Sequence, residues 1–108
     1  MYAADLPFGV FITCRFDKLW WKYPQSRAYR AALFDTGALL QSFLLVSTAL
    51  GLKTWLTGHF YDDEINRLLG VDGVSESVLL FAGAGPGMGA VFSPKMLSAI
   101  AAQRQSLV

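Results

Sequence analysis

The sequence is poor in the residues that carry most catalytic and metal chemistry. Its 108 residues include one cysteine, Cys14, and one histidine, His59. A single cysteine excludes a disulfide within the chain and is typical of a reducing compartment, which favours a cytoplasmic protein. We expect Cys14 to be a small buried hydrophobic residue. Metal sites need clustered histidine, cysteine and carboxylate ligands, and the sequence predicts no such site.

Charged residues are also scarce. They make up 16% of the chain, against 54% for hydrophobic residues, and the net charge is +1. The sequence has no basic run that could neutralise nucleic-acid phosphates, so we expect no nucleic-acid partner. A small chain has a large surface for its volume, and so apolar a composition predicts that another chain covers part of that surface.

The most prominent segment that is present is a proline-free stretch, residues 29–52, with apolar residues at helical spacing on two neighbouring sides. One side holds Leu33, Gly37, Leu40, Leu44 and Thr48, and the other holds Phe34, Ala38, Gln41, Leu45 and Ala49. Such a helix should be buried in a core or a subunit interface. The polar residues Asp35 and Gln41 argue against lipid exposure, so we predict no membrane span.

The other segments predict a single α+β domain over residues 1–108. Apolar residues on both faces of segment 8–16 indicate an interior strand, and segment 76–82 reads as a buried strand. The remaining predicted elements are an irregular turn at 17–27, an extended segment at 53–60, a short helix from the acidic residues 62–64 to Gly70, a glycine-rich loop at 83–90, and a terminal helix capped by Ser93 and Pro94. We expect a mixed or antiparallel sheet packed on the long central helix.

Two familiar site patterns are incomplete in this sequence. Residues 85–90 superficially match a dinucleotide-binding fingerprint, but no helix opens at once and no acidic residue follows Glu76. A Ser-His-Asp site would have to use His59, and the sequence has no Gly-x-Ser-x-Gly elbow. A lone histidine beside an apolar segment is more often structural than catalytic.

A set of short motifs in fixed order resembles one known family. The motifs are Lys22-Tyr23, Arg27-x-Tyr29-Arg30, Phe34-Asp35-x-Gly37, Gln41, residues 48–52, Leu56-Thr57-Gly58-His59-Phe60-x-Asp62-Asp63, and residues 68–72. Over about residues 8–85 the chain resembles the C-terminal part of the nitroreductase-like flavoprotein superfamily, and specifically its SagB-type dehydrogenase branch.

The resemblance implies a fold, a cofactor and an assembly. Family members are α+β subunits that dimerise through long helices and bind FMN at the dimer interface. The segment that matches Leu56, Thr57, Gly58 and His59 lies along the flavin ring, with a backbone N–H of the glycine near the hydride-accepting N5. A glycine suits that place because the backbone can approach a planar ring closely. The alternative is that Gly58 only marks a bend or bulge.

The resemblance also implies a catalytic pair, Lys22 and Tyr23. In azoline-oxidising members of the SagB-type branch, a Lys-Tyr pair at this place is associated with catalysis. Oxidation of a thiazoline or oxazoline ring removes a proton while a hydride leaves for the flavin, so Tyr23 would act as the acid or base. Lys22 would stabilise the ionised tyrosine or the reduced flavin. The alternative is a solvated Lys22 and a core aromatic Tyr23.

The chain departs from the family pattern in ways that affect the expected assembly. Asp35, Ala38, Ser42 and Pro24 replace the usual Glu, His, Asn and Gly. The N-terminal part of the family's fold, with the arginine-rich segment that grips the FMN phosphate, has no counterpart here. We therefore expect a truncated or split subunit, in a homodimer or a hetero-oligomer with a chain that supplies the missing half.

Three functions remain open at this point. The first is an FMN-dependent oxidoreductase of SagB-like type, acting on azolines in peptide modification. The second is a non-catalytic subunit of the same fold that serves oligomerisation or peptide and partner binding. The third is a general nitro or quinone reductase, in which Lys22 and Tyr23 are incidental.

Overall fold

A three-stranded antiparallel sheet forms the centre of the chain. The computed structural model describes residues 6–86 and 94–106. The strands are β1 (Phe8–Arg15), β2 (Lys53–Thr57) and β3 (Glu76–Gly85), and their order in the sheet is β1-β3-β2. Both pairings are antiparallel, so the expected α+β class with an antiparallel sheet is confirmed.

The prediction that β1 is an interior strand is wrong. Among the described residues β1 pairs only with β3, which has a neighbour on each side. On one face of β1, Phe8 lies edge-on to Phe43 of the long helix, and on the other face Phe11 contacts Phe81. Both faces of β1 thus have aromatic contacts, although Phe8 and Val10 remain 46% and 38% exposed. Contacts on both faces agree with apolar residues that do not alternate along the strand.

β3 continues to Gly85, three residues beyond its predicted end at Ala82. Residues 83–85 belong to the strand because their small side chains let neighbouring groups lie directly on it. A Cβ added at Gly83 would overlap Leu6, and Ala84 is fully buried. The rest of the predicted glycine-rich loop, apart from Pro86, lies outside the described residues.

The long helix α1 spans Ser26–Ala49, so it begins three residues before the stretch 29–52. Leu50 is its C-terminal cap, and Gly51 follows with φ 78°, as is common for a glycine that ends a helix. Only a narrow stripe of it is buried, consisting of Ala28, Ala32 and Ser47. These residues lie on one side of the helix, which packs on β2 and β3. The predicted side from Phe34 to Ala49 is exposed throughout. Within the described residues, the chain therefore buries α1 on one side only, whereas the sequence predicts burial on more than one side.

The chain has more surface than a folded protein of its mass normally has. Its accessible surface is 8469 Å², whereas a compact monomer of 11.8 kDa has about 5,900 Å². In the described part of the chain, α1 is the one helix long and apolar enough to cross a membrane. That is weak evidence for a span, because the core helix of a soluble protein passes the same test of length and hydropathy.

The short helix α2 spans Asp62–Leu69, as its acidic start predicted. Gly70 closes it in the left-handed conformation, with φ 73°. The buried Asn66 joins α2 to β3: its Oδ1 accepts the backbone N–H of Val78 at 2.9 Å, and its Nδ2 donates to Ser77 Oγ at 3.2 Å. β2 pairs only with residues 81–85 of β3 and does not reach Val78. The Asn66 amide therefore supplies a hydrogen-bond partner for β3 where β2 is absent.

The turn between α2 and β3 is fixed by one carboxylate. Asp72 Oδ1 accepts the backbone N–H groups of Val74, Ser75 and Glu76 at 2.8–3.1 Å. These hydrogen bonds lower the pKa of Asp72 to about 2, because they stabilise its charged form.

The segment between β1 and α1 is an irregular turn, as predicted, and opens with a 3-10 turn at Phe16–Lys18. At the other end of the chain, α3 spans Pro94–Ser106, which confirms Pro94 as its start; Ser93, its predicted cap, lies outside the described residues. Cys14 is half-buried rather than buried. Burial raises the pKa of its thiol, with smaller contributions from nearby carboxylates, chiefly Asp35.

Candidate functional site

The predicted flavin-ring segment, Leu56 to His59, lies at the end of edge strand β2. Leu56 pairs with Ala82 and Thr57 with Phe81, after which the chain leaves the sheet. The backbone N–H of His59 donates to Thr57 Oγ1 at 2.9 Å, which fixes a tight bend around Gly58. The segment therefore stands at an open edge of the sheet and is held in one conformation by its own threonine.

Gly58 faces empty space. No atom lies within 4 Å of the position that a Cβ on Gly58 would take, and its φ is outside the left-handed region. Gly9 differs, because a Cβ there would overlap the ring of Phe81. Nothing in the described part of the chain therefore requires glycine at position 58, and a planar group could approach this backbone without hindrance.

The predicted catalytic pair, Lys22 and Tyr23, lies in the turn that precedes α1. The backbone N–H groups of both residues donate to Leu19 O, at 3.1 Å and 2.9 Å. Lys22 Nζ lies 5.3 Å from the centre of the Tyr23 ring, within the range of a cation–π contact. Tyr23 is half-buried and Lys22 is exposed. The two side chains are thus adjacent in space, and this much of the predicted pairing is present in the chain.

A strained residue connects this pair to α1. Gln25 has φ 60° and ψ −145°, a conformation that residues other than glycine rarely adopt. Such a residue costs about 1–3 kcal/mol and persists where the surrounding structure holds it in place. No sequence signal marks this position, because glutamine carries no preference for this region.

The structure does not bring the two predicted parts of the site together within one chain. Arg15, which ends β1, pairs with Glu76, whereas Thr57, which ends β2, pairs with Phe81 five residues along β3. The two strand ends are therefore about 17 Å apart along the sheet. In the described residues, no hydrogen bond, ion pair or ring contact joins Tyr23 to segment 56–59.

Groups that could hold a metal ion are sparse around these segments, whereas four exposed basic residues lie near Tyr23 in the sequence: Lys18, Lys22, Arg27 and Arg30. In the part of the chain that the structure describes, no group of three or more histidine, cysteine or carboxylate side chains is arranged so that it could hold a metal ion. The ion pairs among the described residues join Arg15 to Asp17, at 2.7 Å, and to Glu76, at 3.8 Å. Arg15 is thus already paired with carboxylates, which makes it a poor contact for a further anion.

Comparison with known proteins assigns the family. The sequence model of the nitroreductase family matches residues 3–85. The chain belongs to the nitroreductase family. Both predicted site segments and the whole sheet lie within the match, whereas α3 lies beyond it. Members of the family are typically FMN-binding oxidoreductases, and the expected membership of this family is confirmed. The SagB-type branch is a finer assignment than this match makes.

One curated relative is a protein of Methanocaldococcus jannaschii whose name assigns it provisionally as a nitroreductase. It is 32% identical to this chain over 69 residues, which is 64% of this chain and 34% of the relative. The chain thus spans about a third of the length of the relative that it matches. No solved structure matches the chain.

Sequence reasoning missed the side chains that position these segments. Thr57 was assigned to the flavin ring, but its hydroxyl also fixes the bend before His59. Asn66 was not singled out, although it ties α2 to β3. The sequence did contain a signal for Asn66, which is the one amide side chain in a short helix of charged and aliphatic residues. A buried amide usually has hydrogen-bond partners, so its presence predicts a structural contact.

Proposed function

We propose that this chain is the flavin-ring-contacting part of an FMN-dependent oxidoreductase, completed by another chain. The observation that carries the proposal is the open backbone at Gly58, in a segment that lies within the nitroreductase family match. FMN, when bound, accepts or delivers a hydride. Leu56, Thr57, Gly58 and His59 would line its ring, with the Thr57 hydroxyl holding the bend that presents the backbone.

The chain fits the ring of FMN better than its phosphate. Phosphate recognition needs charge-assisted donors, and a cluster of arginine or lysine residues is the usual source. Lys53 lies at the start of β2, at the opposite end of the strand from Thr57, and the ring segment itself carries only the single histidine His59. The phosphate contacts are therefore assigned to the completing chain.

The completing chain would cover the exposed side of α1. Phe34 is 71% exposed and Leu45 61% exposed on that side. Hydroxyl groups along the helix donate to backbone carbonyls of its own preceding turn: Thr36 to Ala32, Ser42 to Ala38 and Thr48 to Leu44, at 2.7–3.1 Å. A helix whose hydroxyls are satisfied internally can be covered by apolar groups at little cost. We infer a homodimer through this side, or a hetero-oligomer with a chain that supplies the missing half.

Flavin titration tests this function. We expect saturable quenching of flavin fluorescence by the purified protein, with FMN bound at least as tightly as riboflavin, because both flavins share the ring that this chain contacts. Gly58→Val should weaken both flavins at least about tenfold, because its side chain fills the space above the bend. Its circular dichroism spectrum should be unchanged. Absence of saturable binding of either flavin would contradict the proposal.

The finer proposal is azoline oxidation of SagB-like type. The reaction converts an azoline to an azole by loss of one hydride and one proton. Tyr23, ionised, would take the proton and become neutral, and Lys22, whose Nζ lies over the tyrosine ring at 5.3 Å, would stabilise the ionised form before the transfer. Because Tyr23 and segment 56–59 are apart within one chain, the proposal requires Tyr23 of one subunit to act beside the ring segment of its partner.

The substitution Tyr23→Phe separates this chemistry from a general nitro or quinone reductase. Azoline oxidation should fall by about 10²-fold or more, while flavin binding and reduction of a nitroaromatic compound stay unchanged. Equal loss of both activities, or loss of neither, would refute the role of Tyr23. The M. jannaschii relative's name favours the general reductase as the second candidate. A preparation that binds no flavin but still oligomerises would favour a non-catalytic subunit.

A further inference from the structure

A pocket of about 320 Å³ lies between the irregular turn, the start of α1 and the N-terminal half of β3. Three aromatic side chains form its walls: Phe16, Trp20 and Tyr29. The rings of Phe16 and Tyr29 are nearly parallel, at 20°, with centroids 5.9 Å apart. This volume is at the lower end of the range of small-molecule sites in proteins.

Strand β3 lines the pocket with Ser77, Val78 and Leu79. Val78 is 5% exposed, and its backbone N–H is held by Asn66 Oδ1. Leu79 lies beside it, at the irregularity where β1 and β3 shift register, so that no β1 residue is opposite it. Bulges of this kind redirect side chains and are common beside functional sites.

The rim opposite the aromatic residues is also fixed. Gly73 and Val74 belong to the turn held by Asp72, and the Gly73 N–H donates to Glu76 O at 2.8 Å. The backbone N–H of Asp17, next to Phe16, donates to Ser75 O in the same turn at 3.3 Å. The aromatic wall and the opposite rim are therefore tied to each other. A pocket that is already in shape loses little entropy when a ligand binds.

The pocket carries one ionisable group that is charged at neutral pH, and it is negative. Asp62 lines the pocket at the start of α2. No lysine or arginine is among the lining residues, and Asp62 forms no ion pair within the described parts of the chain. Aromatic faces with an unpaired carboxylate attract a cation whose surface is apolar, because the ring faces and the carboxylate both carry negative potential.

We propose that this pocket binds a small organic cation through its alkylated ammonium group. Phe16, Trp20 and Tyr29 would surround the alkyl groups, and Asp62 would balance the charge at the rim. The proposal is independent of flavin binding, because none of the lining residues belongs to segment 56–59 or to the Lys22-Tyr23 pair.

Choline and its neutral isostere 3,3-dimethyl-1-butanol test the proposal, since they differ in charge and hardly in shape. The readout is the indole N–H signals of the tryptophans in a ¹H–¹⁵N spectrum of the full chain. We expect the Trp20 signal to shift saturably with millimolar choline, and roughly fivefold or more weaker binding of the neutral isostere. The Trp21 signal should hardly move, because Trp21 is 82% exposed and does not line the pocket.

Neighbouring residues supply matched controls. Trp20→Leu and Asp62→Asn should each weaken choline binding roughly fivefold, whereas Trp21→Leu and Asp63→Asn should leave it unchanged. Circular dichroism confirms that each variant is folded. Equal binding of choline and its neutral isostere would overturn the proposal, as would the absence of any saturable Trp20 shift or equal losses in the control variants.

Discussion

The two sides of α1 differ in residue size and in their surroundings. On the side that packs on the sheet, Ala28 and Ala32 are at most 2% exposed, and Ala82 of β3 is fully buried. On the outer side, Phe34 and Leu45 are 71% and 61% exposed. The inner side is completed within the chain, whereas the outer side has the composition of a core and no cover in the described residues.

The difference shows which side of α1 is covered by the chain's own residues. In the region of the sheet and α2, buried side-chain polar atoms of the described residues all have partners, as Asn66 illustrates. Large apolar side chains of that region are nevertheless exposed in part: Phe8 is 46%, Val10 38% and Leu56 40% exposed. Substitutions on the outer side of α1 should change the association of the chain rather than its folding, because a run of exposed large apolar residues usually marks an interface. The following substitutions test this contrast.

The largest effect is expected from charges on the outer side of α1. The double variant Phe34→Glu, Leu45→Glu should weaken self-association by about 10²-fold or more, because two large apolar contacts become buried charges. Helix content should be retained, since both positions are exposed in the single chain. Sedimentation equilibrium measures the association. Loss of the helix signal together with association would contradict the contrast. Lys53→Glu, on β2 and outside α1, is the control for the same change of two charges.

The next effect is expected at Gly9, within the sheet. Gly9→Ala should lower the free energy of unfolding by about 1–3 kcal/mol, because the new methyl group overlaps the Phe81 ring. That ring cannot move freely, since it packs on Phe11, with centroids 4.9 Å apart, and on Trp55. Urea unfolding measures the change. Gly58→Ala is the matched control and should cost far less, because its added methyl group meets open space.

A smaller effect of opposite sign is expected at Gly37, on the exposed part of α1. No atom lies within 4 Å of a Cβ at this position. In the dissociated background of the double-charge variant, Gly37→Ala should raise the free energy of unfolding by about 0.5–1 kcal/mol, because alanine favours the helix. A decrease in that background would show that position 37 is packed within the chain, against the contrast drawn here.

The smallest effect concerns pH and the turn held by Asp72. Because folding lowers the pKa of Asp72 from 3.8 to about 2, its contribution to stability is present above pH 3.8 and is lost as pH falls towards 2. Asp72→Asn removes this titration. The wild-type chain should therefore lose stability more steeply over that pH interval than the variant does. Parallel slopes in acid unfolding curves would contradict the role of this carboxylate.

Local signals in the sequence were sufficient for α2, and for the location of the strands. The acidic start at Asp62 and the glycine at position 70 marked both ends of α2, since each acts within one helical turn. The position of β1 at a sheet edge was not predictable in this way. The apolar residues of a strand indicate whether its faces are covered. They do not indicate which strands pair with its edges.

The candidate sites differ in the same respect. Lys22 and Tyr23 are neighbours in sequence, so their contact needed no fold to be predicted. Phe16 and Asp62 both line the aromatic pocket, but α1 and β2 separate them in the sequence. No local sequence pattern links residues that are so far apart. The proposed meeting of the ring segment with Tyr23 requires a second chain, which the sequence of one chain does not describe.

The mass of the folded protein in solution tests the central claim most directly, namely that another chain covers the outer side of α1. Light scattering on the purified, helical protein at micromolar concentration should give at least twice the chain mass of 11.8 kDa. The double-charge variant should give 11.8 kDa. A wild-type protein that is fully folded and stays at 11.8 kDa over the whole concentration range would contradict the account.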